Sequence, residues 1–225
     1  VNHMHGHVAA NYIEHKDLQP PFLGLIVSGG HTNIVNIPDY NTCVILGETR
    51  DDAAGEAFDK VARVIGLGYP GGPKMDRAAK SGNPDAIEFK RVWLEKDSYD
   101  FSFSGIKTAA LNYINNENQA GRELRVNDIA ASFQEAVVDV ITRKAIDAAV
   151  KLGRDKIVVS GGVAANSRMD ALLKERAGEA GIKVYKPSPI LCTDNGAMIA
   201  ASAYYEAKAG RFADMSLDAI PRLEL

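Results

Sequence analysis

Residues 23–36, LGLIVSGGHTNIVN, place one apolar run before a Ser-Gly-Gly tripeptide and a second apolar run after it. Leu25, Ile26 and Val27 lead into Ser28-Gly29-Gly30, and Ile34 and Val35 follow His31-Thr32-Asn33, a pattern that predicts strand, tight turn, strand. Adjacent glycines let backbone N–H groups approach an anion with no Cβ in the way, and Ser28 and Thr32 add hydroxyl donors. The tripeptide recurs in residues 158–163, VVSGGV, where a β-branched strand ends in Ser-Gly-Gly and runs into a helical pattern from Asn166. Either copy alone reads as an ordinary turn. Two copies, each closing a strand, favour a nucleotide held between them.

With 225 residues, nearly half of them apolar, the chain can bury one large core or two small ones. Its formal net charge of −3 requires any polynucleotide to meet a local basic patch or a second subunit. Two cysteines, Cys43 and Cys192, suit a reducing compartment without excluding a disulfide, and the expected location is cytoplasmic. No apolar run reaches the roughly 18 residues of a membrane span, and no basic-then-apolar leader opens the chain. The chain starts at Val1, directly in a histidine-rich pattern, and so reads as a fragment.

Residues 2–15 have helical spacing that puts His3 and His7 on one face, where they can chelate one metal ion; a solvated histidine face and a vector remnant are the other readings. His5 points elsewhere, and with no Glu beside His3 this is not the HExxH of zinc peptidases. The break at Gln19-Pro20-Pro21 marks a lobe boundary. Asp52 is expected to N-cap the helical run 53–66, on which Asp52, Glu56 and Asp59 form an acidic stripe. Such a stripe is either a wet face or a set of carboxylates that can hold ribose hydroxyls. Residues 68–73, GYPGGP, are expected to be irregular and to let backbone approach a ligand.

Further on, Phe89 and Trp93 are expected to anchor the polar stretch 81–100, and Phe101 and Phe103 to enter the core. A helix over 106–114, a surface loop over 115–125, and a long helix capped by Asn127 and ended by Gly153 follow. Strand 156–160, helix 167–180 and strand 183–185 make a βαβ unit, so part of the sheet is parallel. Asp194 either caps the last helix, 197–209, or supplies the carboxylate that His3 and His7 lack, which would complete a two-His, one-carboxylate metal site.

NHMHGH, LIVSGGHT, GETRDDAAGEAFDKVAR, GYPGGP, FSFSGIKTA, VVSGGVAANSR and CTDNGAMIA occur in this order across nearly the whole chain. Together they resemble the tRNA N6-adenosine threonylcarbamoyltransferase family, formerly described as O-sialoglycoprotein endopeptidases, in its bacterial type. The resemblance implies an α/β fold of the actin, sugar-kinase and heat-shock ATPase architecture, with ribonuclease-H-like lobes whose mixed sheets are flanked by helices. It also implies that the first lobe is largely missing, with 1–20 and 190–225 as its remnants and 21–189 as the second lobe. Carried over position by position, metal ligands fall on His3, His7 and Asp194. Substrate or nucleotide contacts fall on Ile26, Val27, Ser28, Gly29, Gly30, Asp59, Gly72, Asp76 and Asn166.

The implied cofactor is one divalent metal, iron first and zinc or manganese as alternatives, with ATP, ADP or threonylcarbamoyl-AMP as ligand. The implied reaction moves the threonylcarbamoyl group from its adenylate to N6 of adenosine 37 in tRNAs reading codons that begin with A. The expected partners are tRNA, an inactive paralogous subunit and a small ATPase. An ATPase or sugar-kinase-like phosphotransferase of the same architecture is the alternative. An inactive scaffold and a metallopeptidase rank below it, and no residue stands out as the general base. The chain as given is expected to fold, to self-associate through faces that the missing lobe would cover, and not to catalyse alone.

Overall fold

The computed structural model describes residues 1–218 and residue 220. Its centre is β1 (Phe22–Val27), six residues without a polar side chain, all buried. A strand of this kind belongs in the middle of a sheet covered on both faces. It pairs antiparallel with β2 (Thr32–Asp39) and parallel with β4 (Lys156–Ser160). β3 (Thr42–Glu48) adds antiparallel to β2, and β5 (Lys183–Tyr185) parallel to β4, giving the order β3-β2-β1-β4-β5. Side chains alternate across the sheet. Phe22 and Ile26 face one layer with Val35, Ile37 and Val158, while Leu23, Leu25 and Val27 face the other with Ile34, Ile157 and Val159.

The first face is covered by α1 (His3–Glu14), whose Met4, Val8 and Tyr12 pack on those strands, with α8 (Gly196–Lys208) beside it. The second carries α5 (Val126–Lys151), α2 (Ala54–Val64), α4 (Ser104–Gln119) and α6 (Ser167–Glu179), with Phe58, Phe133, Val137 and Ile141 in the main core. α3 (Gly71–Ala79) packs against α2 and α5. Residues 2–15 thus form the expected helix, with Asn2 accepting the Met4 N–H at 2.8 Å as its cap. The boundary placed near residue 20 is the turn between α1 and β1, and α1 lies directly on the sheet that β1 belongs to.

Several local expectations give way to tertiary contacts. Asp52 does not cap α2: its carboxylate takes Lys60 Nζ at 2.7 Å and also binds the Lys107 ammonium, leaving Ala53 at the N-cap position. Glu56 likewise pairs with Lys60, so the acidic stripe is largely neutralised. Gly71, Gly72 and Pro73 form the first turn of α3 rather than irregular chain, which suits proline because the first N–H groups of a helix need no partner within it. Phe89 is buried as expected, but Trp93 is 49% exposed, and the polar stretch is tied down instead by Arg50, which binds Asp100 and Glu95 at 2.8 Å each. α4 runs to Gln119, through half of the expected loop, and α5 begins at Val126 with Arg125 before it, so Asn127 is a first-turn residue. The structure adds two elements to those expected, the short helix α7 (Pro189–Cys192) and the edge strand β3.

The layer between α5 and α6 is pinned by one carboxylate. Asp139 accepts from Arg143 at 2.8 Å and Arg91 at 3.3 Å and is also bound by Arg176. Burial pushes its carboxyl up, but the hydrogen bonds from Arg143 and Arg176 outweigh that and hold it below the ordinary carboxylate range. A depressed folded-state value means that this contribution is complete above the unfolded-state value and is lost as pH falls through the folded-state value. Asp139→Ala is expected to destabilise the fold by about 3 kcal/mol, the scale for removing one member of a largely buried ion pair. In urea titrations the wild type should lose stability relative to the variant as pH is lowered from neutral; equal midpoints at every pH would refute it.

Candidate functional site

Parallel pairing of β1 with β4 sets Ile26 opposite Ser160, so both Ser-Gly-Gly turns leave the sheet side by side at its C-terminal edge. Open α/β sheets bind ligands at such an edge. Gly161 has φ +90°, and a Cβ there would drive into the backbone of Val27, so glycine is required for the second turn to close against the first strand. Gly55 plays the same part for α2: a Cβ on it would lie 2.6 Å from the Ser28 carbonyl oxygen, which accepts the Gly55 N–H at 3.2 Å. Thr32, fully buried, accepts the Ala54 N–H at 3.0 Å, so its hydroxyl seats α2.

Gly29, Gly30 and Gly72 differ from these. None has positive φ, and a Cβ on any of them would meet nothing within 4 Å. Packing therefore does not demand glycine there, and the space beside them is open. Within the first turn, Ser28 Oγ accepts from Gly30 N at 3.3 Å and His31 N at 3.0 Å, and Ser28 N donates to the His31 carbonyl at 2.8 Å. The turn thus spends most of its own N–H groups on itself. Among the described residues the Gly29 N–H remains unengaged, and the Ser28 hydroxyl keeps its proton to donate.

The other carried-over positions are linked in series from α2 through α3 to α6. Asp59 Oδ1 accepts the Gly71 N–H at 2.6 Å, joining α2 to the start of α3. Asp76 Oδ1 accepts from Ser167 N at 3.1 Å and Oγ at 2.8 Å, joining α3 to the start of α6. In both carboxylates Oδ2 makes no hydrogen bond among the described residues. Asn166 caps α6, accepting the Met169 N–H at 2.9 Å, and its amide donates to the buried Gln134 at 2.7 Å. Its side chain is therefore committed at both ends. Gln134 carries no sequence signal of its own, lying within the apolar pattern of α5. The side chains of Ile26 and Val27 are wholly buried in the sheet, so neither faces the open space beside the turns.

His3, His7 and Asp194 converge, with one ligand atom of each within 4.8 Å of the others. Both Nε2 atoms face Asp194 Oδ1, at 3.5 Å from His3 and 3.2 Å from His7. Asn195 rather than Asp194 caps α8, which frees the aspartate for the histidines. His7 is buried and Asp194 is 76% exposed, so the trio is anchored on one side and open on the other. Burial first, and then neighbouring His3, hold the His7 imidazole below its ordinary range against the pull of Asp194. A neutral imidazole is the form that ligates a metal, and two nitrogens with one carboxylate oxygen suit a divalent transition metal, so the residues present fit such an ion. The trio adjoins the first turn, for the His31 ring centroid is 6.2 Å from that of His3.

A family model described as TsaD, tRNA N6-adenosine threonylcarbamoyltransferase, matches residues 1–201. A tRNA N6-adenosine threonylcarbamoyltransferase of Clostridioides difficile (strain 630) is 56% identical over 225 residues, all of this chain and 67% of the relative. One of Clostridium perfringens (strain 13 / Type A) is 55% identical over 225 residues, all of this chain and 66% of that relative. The chain thus spans about two thirds of the length of the curated relatives it matches. Among solved structures, full-length HypF in its phosphate- and nucleotide-bound form aligns with TM-score 0.73 at 18% identity, over 95% of this chain and 44% of that one. HypF from T.kodakarensis aligns with TM-score 0.67 at 16% identity, over 92% and 37%. At such identities the likeness concerns the fold, which is the expected α/β, ribonuclease-H-like arrangement of a mixed sheet between helices.

The two kinds of glycine separate experimentally. Gly161→Ala places a side chain in the left-handed region and against backbone, and is expected to destabilise by at least about 2 kcal/mol. Gly29→Ala should leave the thermal midpoint within about 2 °C of wild type, since it adds a methyl group to open space. Equal losses would show that the first turn is as tightly packed as the second.

Proposed function

The chain belongs to the tRNA N6-adenosine threonylcarbamoyltransferase family, transferases of tRNA processing, and on that premise we propose that it carries the donor-binding and metal-binding face of the transfer reaction. In the proposed reaction the threonylcarbamoyl group passes from threonylcarbamoyl-AMP to N6 of adenosine 37 in tRNAs reading codons that begin with A. The observation that carries this reading is the meeting of the paired Ser-Gly-Gly turns and the His3, His7, Asp194 trio at one edge of the sheet. The exocyclic amine attacks the carbamoyl carbonyl, and AMP leaves.

Residues of this chain would act mainly by holding the adenylate in place, the effect by which bound geometry lowers a bimolecular barrier. The Gly29 N–H and the Ser28 hydroxyl are the donors available to a phosphate. Asp59 and Asp76 each present a free carboxylate oxygen to a ribose or substrate hydroxyl. Open space beside Gly29, Gly30 and Gly72 admits the ligand against backbone. His3, His7 and Asp194 would hold the divalent ion, iron by family resemblance, and such an ion supplies Lewis-acid polarisation of a carbonyl or phosphate oxygen.

Partners in this reading are tRNA, an inactive paralogous subunit and a small ATPase, in the cytoplasm. No helix among the described residues is long and apolar enough to cross a membrane. Residues 1–20 and 190–225 would belong with a first lobe, and 21–189 would form the second.

Calorimetric titration with ADP tests the donor side. Gly29→Val should weaken binding at least about tenfold, roughly 1.4 kcal/mol. Unchanged affinity removes this turn from the site. Transfer is tested in a chimera that completes this chain with the remaining third of the Clostridioides difficile relative, supplied with donor, unmodified tRNA and partner subunits. His7→Ala should lower the yield of modified adenosine, read by nucleoside mass spectrometry, at least about 100-fold, the upper end of the effect expected from disrupting a metal's surroundings. Wild-type yield from that variant would overturn the reading.

A further inference from the structure

We infer that His31, at the end of the first Ser-Gly-Gly turn, is a fourth protein ligand of the ion proposed for His3, His7 and Asp194, an inference that rests on that metal reading. His31 lies outside the convergent trio, and neither the helical spacing of His3 and His7 nor the position of Asp194 points to it. Three observations do.

The first is distance. Two imidazoles bound to one ion through bonds of about 2.1 Å place their ring centroids about 4.6 Å apart at a right angle and about 6.5 Å apart on opposite sides. The His3 and His7 centroids are 4.7 Å apart, near the right-angle value, and the His3 and His31 centroids are 6.2 Å apart, towards the opposite-side value. Both separations fall in the window that a shared ion allows.

The second is anchorage. The His31 backbone is clamped to Ser28 through both its N–H, at 3.0 Å, and its carbonyl, at 2.8 Å. The turn fixes the residue, and rotation of the exposed ring about its Cβ–Cγ bond would aim a nitrogen at the ion while leaving the centroid nearly in place. Ligands on a rigid support with only ring rotation left lose little entropy on binding.

The third is the unfilled coordination of the trio. Two nitrogens and one oxygen leave a five-coordinate ion two positions short and a six-coordinate ion three, so a fourth protein ligand still leaves room for a substrate oxygen. The exposed carboxylate of Asp194 shows that the trio is open to the outside, and His31 stands on that rim beside His3. Its role is that of a positioning residue: the turn that offers the Gly29 N–H to a phosphate would be tied to the ion by the residue that follows the glycines. Metal binding would then order the donor pocket.

The test uses cobalt(II) as probe on the 225-residue chain, with chelator competition for affinity and visible absorption for geometry. Wild type should bind one cobalt. His31→Ala should weaken it at least about tenfold and alter the ligand-field spectrum. His31→Cys should restore tight binding and add a near-ultraviolet thiolate-to-cobalt charge-transfer band absent from wild type, a signal that only direct coordination produces. Because His31 is exposed, both variants are expected to fold, and circular dichroism checks this. Should His31→Ala match wild type in affinity and spectrum while His7→Ala abolishes binding, the three-ligand site stands and the His31 inference falls. If His7→Ala also binds cobalt as wild type does, the metal reading falls and the inference with it.

Discussion

The parallel pairing of β1 with β4 governs everything at the candidate site. Parallel neighbours run the same way, so their C-terminal ends meet at one edge, and each of these strands is followed at once by Ser-Gly-Gly. The fit is close enough that Gly161 must adopt a left-handed conformation with no side chain, pressed on the backbone of Val27. Once the two turns are adjacent, the starts of α2 and α6, which follow in the fold, are drawn to the same edge. Gly55 is bonded to Ser28, and Asn166 caps the helix that leaves the second turn.

Length matching brings the histidines there as well. α1 has 12 residues, about 18 Å of helix. β1 has 6 residues, about 20 Å of strand. The two are antiparallel neighbours joined by a turn, so the first turn of α1 ends level with the loop that follows β1. That is why His3 reaches the ring of His31 although the residues belong to different layers. The fold holds α1 in this register by burying Met4, Val8 and Tyr12 on the sheet and by a hydrogen bond from Asn11 to the Val159 carbonyl at 3.3 Å. His7 is buried because it shares that inward face, and His3, one turn earlier, emerges at the rim.

What was legible in the sequence was what depends on local spacing. The hairpin, the βαβ unit, the HxxxH face and the glycine-ended long helix are all periodicity or turn chemistry, and they stand in the structure at or near the expected residues. What was not legible was the choice a polar side chain makes among partners far away in sequence. Asp52 has the right position to cap α2, yet two ammonium groups, one of them on α4, bind it more strongly than a helix N–H would. Asp51, its neighbour, caps α4 instead, accepting the N–H groups of Phe103 at 2.8 Å and Ser104 at 3.2 Å. Trp93 reads as an anchor for the polar stretch 81–100, but that segment is held by salt bridges and leaves the ring half outside. At the site, the residues carried over by resemblance include two aspartates and an asparagine whose side chains also fasten one helix to the next. No pattern in the sequence separates that structural use from a ligand-binding one.

The same accounting bears on how a polyanion would meet this chain. Its formal charge is −3, and three cations near the candidate edge are already engaged. Lys60 and Lys107 share Asp52, and Arg168 is held by Glu135 at 2.5 Å and 2.8 Å. Each such pair would have to be broken before its cation could replace a counterion on a phosphate, and a charge-assisted hydrogen bond exchanged for another of the same kind yields little net affinity. Under the proposed function, these residues are therefore poor candidates for gripping the tRNA backbone. On that reading the work left to this face would be narrower: seating the adenylate against bare glycine backbone and presenting it in one orientation, while phosphate contacts to the long anionic partner would come from cations other than these paired ones.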